Sequence, residues 1–596
     1  MELKSPPFIS QLPFTPPDSI PIHEFLFSDR YGRHPRETSK NPFTCGITGK
    51  TYSTSQVEER VDFLARALSK KLGIEVNDGD EMQKIIGIFS LNTVDNMTVS
   101  WAIHRLSGVS FPLSASSSTT ELVHLLSQVR CKALVTCAPL VHTALECAAA
   151  VGIPDSHVYV LDVPLHDSDK LDVPTHLKSV DQLIREGGNM APLAGMQWAA
   201  GQGARQTAYL CSSSGTSGLP KFVKVSHKSV IANIMQFTAY ESNNTRKEPE
   251  MGLGVLPQSH GYSLILIAHA SVYRGDGVVV LQGFDMHATL QAIQDFHIAR
   301  LWLMIVAMTR ASLLLHRYDL SSVNTVFVGG SPLTVETAVQ FSELISNCTF
   351  IQAYGLTEAA ILVCLTNRED VVFGSCGHLL PGFEARLIDE NGQDVTEYDT
   401  PGELVVRSPS VMIGYYNNEA ATREILSEDG WLRTGDLVEI RKSAKGYDHI
   451  FIVDRIKELI KVRGYQVAPA ELETSLLLHP IVSDVAVVPI PSGSSGEVPM
   501  AYIVKSQACR GVDEAELKRQ IHAYINTSFA KHKHLDGGIE FIDAIPKTAI
   551  GKTRRSIIKE MAKRSAQVNK QVITNGWRQM RVPVRMIEFD SDDEDD

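Results

Sequence analysis

A chain of 596 residues, 43% hydrophobic and 21% charged, has the composition of a multi-domain globular protein and excludes a disordered or fibrous one. Its formal net charge is −12; Glu588, Asp590, Asp592, Asp593, Glu594, Asp595 and Asp596 carry seven of the negative charges, and removing those seven leaves −5. So mildly acidic a body disfavours nucleic acid as a partner.

The nine cysteines are odd in number and form no C-x-x-C pair, which predicts reduced thiols in an intracellular protein and neither a zinc site nor a disulfide framework. The start, M-E-L-K-S-P-P-F, has neither the basic beginning nor the apolar stretch of a secretory signal. The longest strongly apolar run, Leu264 to Ala270, is too short for a transmembrane segment. The end lacks an S-K-L type peroxisomal address, so a cytoplasmic location is the default expectation.

In chain order, the proline-rich residues 1–45 read as an extended lead-in over the surface. Apolar residues at helical spacing (Val57, Val61, Leu64, Ala67, Leu68) predict a helix over 52–72. Ile85–Phe89 reads as a buried strand, and Asn92 as the cap of a helix through Trp101 and Leu106. Gly108–Pro112 reads as a turn, followed by a helix over 120–129 and strands at 133–135 and 158–161. One more strand, ending at Cys211, leads into a loop and then a helix over 230–237. Apolar runs at 255–257, 277–281, 301–305 and 326–328 continue the alternation. Strands alternating with helices predict a large layered α/β domain with a substantially parallel sheet.

Around 380–440 short β runs with turns predict a β subdomain. Beyond about Asp454, strands at 485–488 and 501–504 and a helix over 513–529 predict a small α+β domain. The expected organisation is therefore 1–454, 455–566 and a disordered acidic tail at 567–596, with no internal repeat.

Four clusters carry chemistry. The first is Tyr209–Lys221, Y-L-C-S-S-S-G-T-S-G-L-P-K: after a short apolar run come five hydroxyl side chains, two glycines and a lysine. Glycine allows close backbone approach, and hydroxyls with inward N–H groups make a nest for phosphate oxygens. The second is Gln352-Ala353-Tyr354-Gly355-Leu356-Thr357-Glu358, where a hydroxyl and a carboxylate at a strand end can touch a phosphate and hold Mg²⁺. The third is Gly430-Trp431-Leu432-Arg433-Thr434-Gly435-Asp436, whose aspartate can accept two ribose hydroxyls. The fourth is the run from Asp454 to Glu473, D-R-I-K-E-L-I-K-V-R-G-Y-Q-V-A-P-A-E-L-E, completed by Pro546 to Lys552. Taken alone, each reads equally well as an ordinary loop, capped turn or charged surface segment.

Together and in this order, the clusters resemble the adenylate-forming superfamily of acyl-CoA synthetases, 4-coumarate–CoA ligases, luciferases and peptide-synthetase adenylation domains, over about residues 45–565. The fourth cluster is most similar to the coumarate-ligase and acyl-CoA ligase branch, including fungal ligases of secondary metabolism. The resemblance implies that a carboxylic acid, fatty or aryl, is activated by ATP to an acyl-adenylate, which then reacts with the thiol of coenzyme A. The alternative acceptor is the phosphopantetheine of a carrier protein.

By resemblance, Ser212, Ser213, Ser214, Gly215, Thr216, Ser217, Gly218 and Lys221 hold the β- and γ-phosphates, Thr357 the α-phosphate and Glu358 the Mg²⁺. Gly329, Gly330 and Ser331 line the adenine and acyl pocket, Tyr354 stacks near adenine, Asp436 and Arg455 hold the ribose, and Gln466 adds a contact on the nucleotide side. Lys552 bridges carboxylate and α-phosphate, and His260 marks the mouth of the acyl pocket, with Tyr262, Ser263 and Ala353 as further lining. Lys461, Arg463 and Gly464 serve thioester formation after the small, mobile C-terminal domain rotates about a hinge within Asp454–Lys457. Phe222, Val306, Ala307 and Ile550 depart from common family choices without removing a charged group. A P-loop hydrolase is excluded because Pro546 stands where G-x-x-x-x-G-K-[ST] needs glycine, and an inactive scaffold is disfavoured by the retention of Glu358, Asp436 and Lys552.

Overall fold

The chain folds as two units, Met1–Lys457 with Thr548–Lys552, and Glu458–Lys547 with the residues from Thr553 on. This computed structural model describes residues 2–164, 173–213, 221–242, 248–302, 312–329, 345, 348–463, 465–492, 496–509, 511–548 and 551–564. The expected tail at 567–596 lies outside them.

Three sheets build the first unit among the described residues. One runs Gly414–Tyr415, Lys221–Ser226, Thr207–Ser213, Val109–Leu113, Ile85–Phe89, Ala133–Cys137, Val158–Leu161 and Lys178–Ser179. Its strands are parallel from Thr207–Ser213 onward, and the two strands at the other edge pair antiparallel. The second is parallel through Thr349–Leu356, Thr325–Gly329, Arg300–Trp302, Met251–Gly254, Gly277–Val280 and Phe43–Cys45, with antiparallel strands at both ends. Parallel strands covered on both faces need continuous apolar sequence, and Ile85–Phe89 is buried at every position. The third sheet is antiparallel and contains Glu384–Ile388, Gly402–Arg407, Leu432–Lys442 and Asp448–Arg455.

Local chemistry sets several boundaries. The helix Thr54–Leu72 starts at a capping box between Ser53 and Gln56 and stops at Gly73, whose φ is +60°. Asn92, by contrast, caps nothing. Its Nδ2 donates to the carbonyls of Val255, Leu256 and Leu281, and its Oδ1 accepts from the Gln258 N–H, so it ties the two large sheets together; the helix begins at Asn96. The expected turn at Gly108–Pro112 is the strand Val109–Leu113. The strand expected at 255–257 ends earlier, as Met251–Gly254. Within the lead-in, the helix Ile22–Phe27 buries Ile22, Phe25 and Leu26, and Phe25 stacks on Tyr273 at 4.8 Å. The loop after Ser213 returns as a strand, Lys221–Ser226, before the helix His227–Glu241.

The second unit is α+β. Helices Pro469–Leu477 and Glu514–Ser528 pack Leu472, Leu476, Ile521 and Ile525 onto Val487 and Ile503 of a three-stranded sheet. Among the described residues, no helix is long and apolar enough to cross a membrane. All nine cysteines are free thiols.

Behind the strand Thr207–Ser213 lies a group of buried histidines. His104 Nε2 donates to the Ala208 carbonyl at 3.0 Å, His227 Nδ1 accepts from the Ile22 N–H at 3.2 Å, and His269 Nε2 pairs with the Tyr209 hydroxyl at 2.8 Å. Burial drives the His104 imidazole down to about 3 and lowers His227 and His269 well below the usual range, with His104 adding to the effect on both. These rings stay neutral in the folded chain but take up protons once unfolded, so their contribution to stability is present above about pH 6.5 and is lost as pH falls below it, at about 1.4 kcal/mol per histidine per pH unit. Thermal melting of the full chain is expected to drop steeply between pH 6.5 and 5, and His104→Gln to flatten that dependence by one proton. A melting temperature unchanged across this range would contradict the account.

Candidate active site

The strands Thr207–Ser213 and Lys221–Ser226 pair antiparallel, with Lys221 facing Ser213, so both ends of the Ser/Gly loop lie on one sheet. Ser214, Gly215, Thr216, Ser217 and Gly218 lie outside the described residues, as do Gly330, Ser331, Val306, Ala307, Gly464 and Ile550. Ser212 is exposed and Ser213 half-buried at the loop's root.

Ser213 Oγ donates to Glu358 Oε1 at 2.9 Å, and the Tyr415 hydroxyl donates to the same oxygen at 2.9 Å. The Lys221 ammonium lies 4.9 Å from the centre of the Tyr415 ring, a cation–π distance. Glu358 is itself buried, on a 3₁₀ turn that follows the strand Thr349–Leu356 and begins at the half-buried Thr357. The turn is tight: Ala360 and Ile361 have φ of +50° and +89°, a backbone region that costs non-glycine residues free energy and clusters at functional sites. Gly355 is required here, since a Cβ on it would meet the Ile361 carbonyl oxygen at 1.5 Å.

Asp436 is only 4% exposed. It follows Gly435, whose φ is +71°, and faces Arg455 across an antiparallel pair. The Tyr354 hydroxyl donates to its Oδ2 at 2.5 Å, and Arg455 Nε lies 3.4 Å from its Oδ1. Burial raises the Asp436 carboxyl above its usual range, while Arg455 and Tyr354 pull it back. Lys552 belongs to the same unit, on a loop where Gly551 has φ +77° and the Thr548 side chain accepts the Lys552 N–H at 3.1 Å. Burial lowers the Lys552 ammonium, Arg455 lowers it further, and Asp436 and Glu358 oppose both.

His260 Nδ1 accepts the Tyr262 N–H at 3.2 Å. Burial, then Lys552, brings this imidazole down to about 4, so it is a neutral wall at working pH and not a cation. A Cβ on Gly329 would lie 3.5 Å from both the Tyr262 ring and the Ala353 carbonyl oxygen, so the glycine leaves room for little more than a methyl group. Lys461, Arg463 and Gln466 lie on the exposed hairpin Ile460–Val462/Tyr465–Val467 of the second unit, where Arg463 has φ +49°.

The first unit thus gathers Ser213, Lys221, Tyr354, Glu358, Asp436, Arg455, Lys552 and His260. Tyr415 is the member that sequence reasoning missed. Its signal was the Gly-Tyr-Tyr run at 414–416, which reads as a turn until Tyr415 is paired with Val223 at the sheet edge. Both hydroxyl donors to Glu358 bind Oε1, which leaves Oε2 for a cation among the described residues.

The AMP-binding enzyme family matches residues 32–416, and the AMP-binding enzyme C-terminal domain matches residues 471–552. The chain is 38% identical over 568 residues to acyl-CoA ligase easD of Emericella nidulans, across 94% of this chain and the whole of that protein. It is 54% identical over 385 residues to acyl-CoA ligase lcsD of Purpureocillium lilacinum, across 62% of this chain and the whole of that one. An anthranilate CoA ligase, AuaEII, solved with anthranoyl-AMP, shares the fold at a TM-score of 0.76 and 21% identity, over 92% of this chain and 99% of that chain.

Tyr415→Phe keeps the ring beneath Lys221 and deletes the hydroxyl that holds Glu358. A hydrogen bond to a charged group is typically worth about 1.5–3 kcal/mol. Carboxylate-dependent pyrophosphate release is expected to fall at least about tenfold at limiting Mg²⁺, and to recover in part at high Mg²⁺, with the melting temperature little changed. Wild-type rates at every Mg²⁺ concentration would remove Tyr415 from the site.

Proposed function

The chain belongs to the AMP-binding enzyme family, and from that premise we propose that it converts a carboxylic acid, ATP and coenzyme A to acyl-CoA, AMP and pyrophosphate. In the first half-reaction a carboxylate oxygen attacks the α-phosphorus of ATP, the bond to the pyrophosphate oxygen breaks, and an acyl-adenylate forms. In the second, the thiol sulfur attacks the acyl carbon and AMP leaves with the electrons of the C–O bond.

The observation that carries this reading is the half-buried Lys552 in the same unit as Asp436 and Glu358, which oppose the lowering of its ammonium by burial and Arg455. An anion attacking a polyanion needs fixed positive charge where the two meet, and preorganised charge in a dry site acts strongly there. Lys552 is the group for that position. Ser212 to Lys221 would bind the departing pyrophosphate end, Thr357 the α-phosphate, and Asp436 and Arg455 the ribose, with Tyr354 fixing the Asp436 carboxylate. Glu358, with Oε2 left over, fits a Mg²⁺ ion, which when bound supplies positive charge to the phosphates. His260, kept neutral, would border the acid without competing for its charge.

Lys461, Arg463, Gly464 and Gln466 are assigned to the second unit's share of the cycle, with thioester formation following rotation of a mobile C-terminal domain. The unit boundary at Lys457, beside the hinge expected at Asp454–Lys457, supports this. Coenzyme A is the proposed acceptor, supported by relatives named acyl-CoA ligases; a carrier-protein thiol is the alternative that direct assay separates. The acid is fatty or aryl.

A pyrophosphate-release screen over fatty and aryl acids identifies the substrate, and thioester assays with free coenzyme A against a phosphopantetheinylated carrier identify the acceptor. Lys552→Ala is expected to slow adenylation by about 10²–10³-fold while thioester formation from supplied acyl-adenylate continues. Undiminished pyrophosphate release in this variant would refute the mechanism.

A further inference from the structure

Three side chains that the proposed reaction does not use meet at the junction of two sheets in the first unit. Asp370 comes from the loop after Ile361–Leu365, His378 from the strand His378–Leu379, and His449 from the strand Asp448–Arg455. All three are buried, and one ligand atom from each lies within 4.8 Å of the others.

The hydrogen bonding around His378 is the decisive detail. Its Nδ1 lies 2.9 Å from the Asp448 carbonyl oxygen, which can only accept, so Nδ1 carries the proton. In the neutral ring Nε2 is then a bare lone pair. That atom is buried, has no hydrogen-bond partner, and lies 3.7 Å from Asp370 Oδ2. Two electron-rich atoms face each other in a dry place with no hydrogen between them, an arrangement that costs free energy unless something positive lies between. His449 Nε2 approaches the same carboxylate oxygen at 3.0 Å. Its Nδ1 is held at 2.9 Å by Ser375 Oγ, which also accepts the Gly377 N–H and contacts the Ile450 carbonyl.

We propose that Asp370, His378 and His449 form a structural binding site for a zinc-like divalent cation. Nitrogen and oxygen ligands about 2.0–2.1 Å from a tetrahedral zinc lie about 3.3–3.4 Å from one another. The separations of 3.0 and 3.7 Å to Asp370 Oδ2 straddle that spacing. Two imidazoles with one carboxylate suit zinc and its neighbours rather than magnesium. The surroundings are those of a metal site: a backbone carbonyl orients one imidazole and a hydroxyl the other. Ser443 Oγ donates to Asp370 Oδ2 at 2.8 Å and orients the carboxylate, and the Phe8 ring closes edge-on over His378 at 5.4 Å. The cation would clip the segment around Asp370 and His378 to the strand that ends in Arg455, the partner of Asp436.

The test uses the full chain, stripped with a chelator and dialysed against zinc chloride, with metal counted by mass spectrometry. About one zinc per chain is expected to remain, together with a melting temperature several degrees above that of the stripped protein. Cobalt in its place should give the intense visible bands of a four-coordinate ion. Glu358→Gln should keep the zinc, which separates this site from the proposed Mg²⁺ site, whereas His378→Gln and Asp370→Asn, each checked for folding by circular dichroism, should lose it. Wild-type protein that retains no zinc, or either ligand variant binding as wild type does, overturns the proposal.

Discussion

Two carboxylates are taken out of water within one site, and the rest of the first unit is arranged to make that tolerable. A buried charge costs several kcal/mol unless it is paired and hydrogen-bonded. Glu358 is met by the hydroxyls of Ser213 and Tyr415, and Asp436 by Tyr354 and Arg455. Those partners come from different sheets. Ser213 and Tyr415 belong to the sheet carrying the Ser/Gly loop, Tyr354 to the second large sheet, and Asp436 with Arg455 to the antiparallel one. The site therefore exists only where all three sheets converge, which is why its residues span from 213 to 552 in the sequence.

The same pairing prepares the chemistry. Glu358 and Asp436 oppose the combined lowering of the half-buried Lys552 ammonium by burial and Arg455. In the proposed reaction a polyanionic nucleotide would meet groups whose balance is already set, which leaves little reorganisation for the reacting step. Tyr415 joins two parts of this arrangement, its hydroxyl on the carboxylate and its ring beneath Lys221. Lys221 and Glu358 thereby meet on one side chain.

What could be read in the chain followed from how local each cause was. Ile85–Phe89 and Val158–Leu161 were legible because a strand buried on both faces must be apolar throughout. Glu358, Asp436 and Lys552 stood out as candidates because each sits in a short contiguous run, 352–358, 430–436 and 546–552. Asn92 was not: next to a helical pattern it looks like a cap, and only the fold shows that its partners are carbonyls 163 to 189 residues away. The lead-in misled in the same way, since its prolines mask a buried helix at Ile22–Phe27. Nor could the return of the Ser/Gly loop as a strand be foreseen from K-F-V-K-V-S alone, because six residues of alternation fit an exposed edge as well as a paired one. Tyr415 acts at a distance of 57 residues from Glu358, and no local pattern encodes that contact.

The segment Tyr262–Ala270 connects these themes. It is a π-helix, a form that is rare and concentrated at functional sites, and it begins two residues after His260. At its far end His269 holds the Tyr209 hydroxyl on the strand that leads into the Ser/Gly loop. At its near end the Tyr262 ring meets Trp302 edge-on at 6.0 Å and limits the space beside Gly329. One irregular stretch of backbone therefore supports the strand Thr207–Ser213 at one end and forms the wall beside Gly329 at the other. The Tyr262 hydroxyl is buried and has no hydrogen-bond partner. A dry, unpaired hydroxyl costs about 1–3 kcal/mol, and that cost falls on the wall proposed to border the acid, while the two carboxylates proposed for the nucleotide side, Glu358 and Asp436, are both hydrogen-bonded. That hydroxyl stands as an open hydrogen-bonding position beside Gly329, in the wall proposed to border the acid.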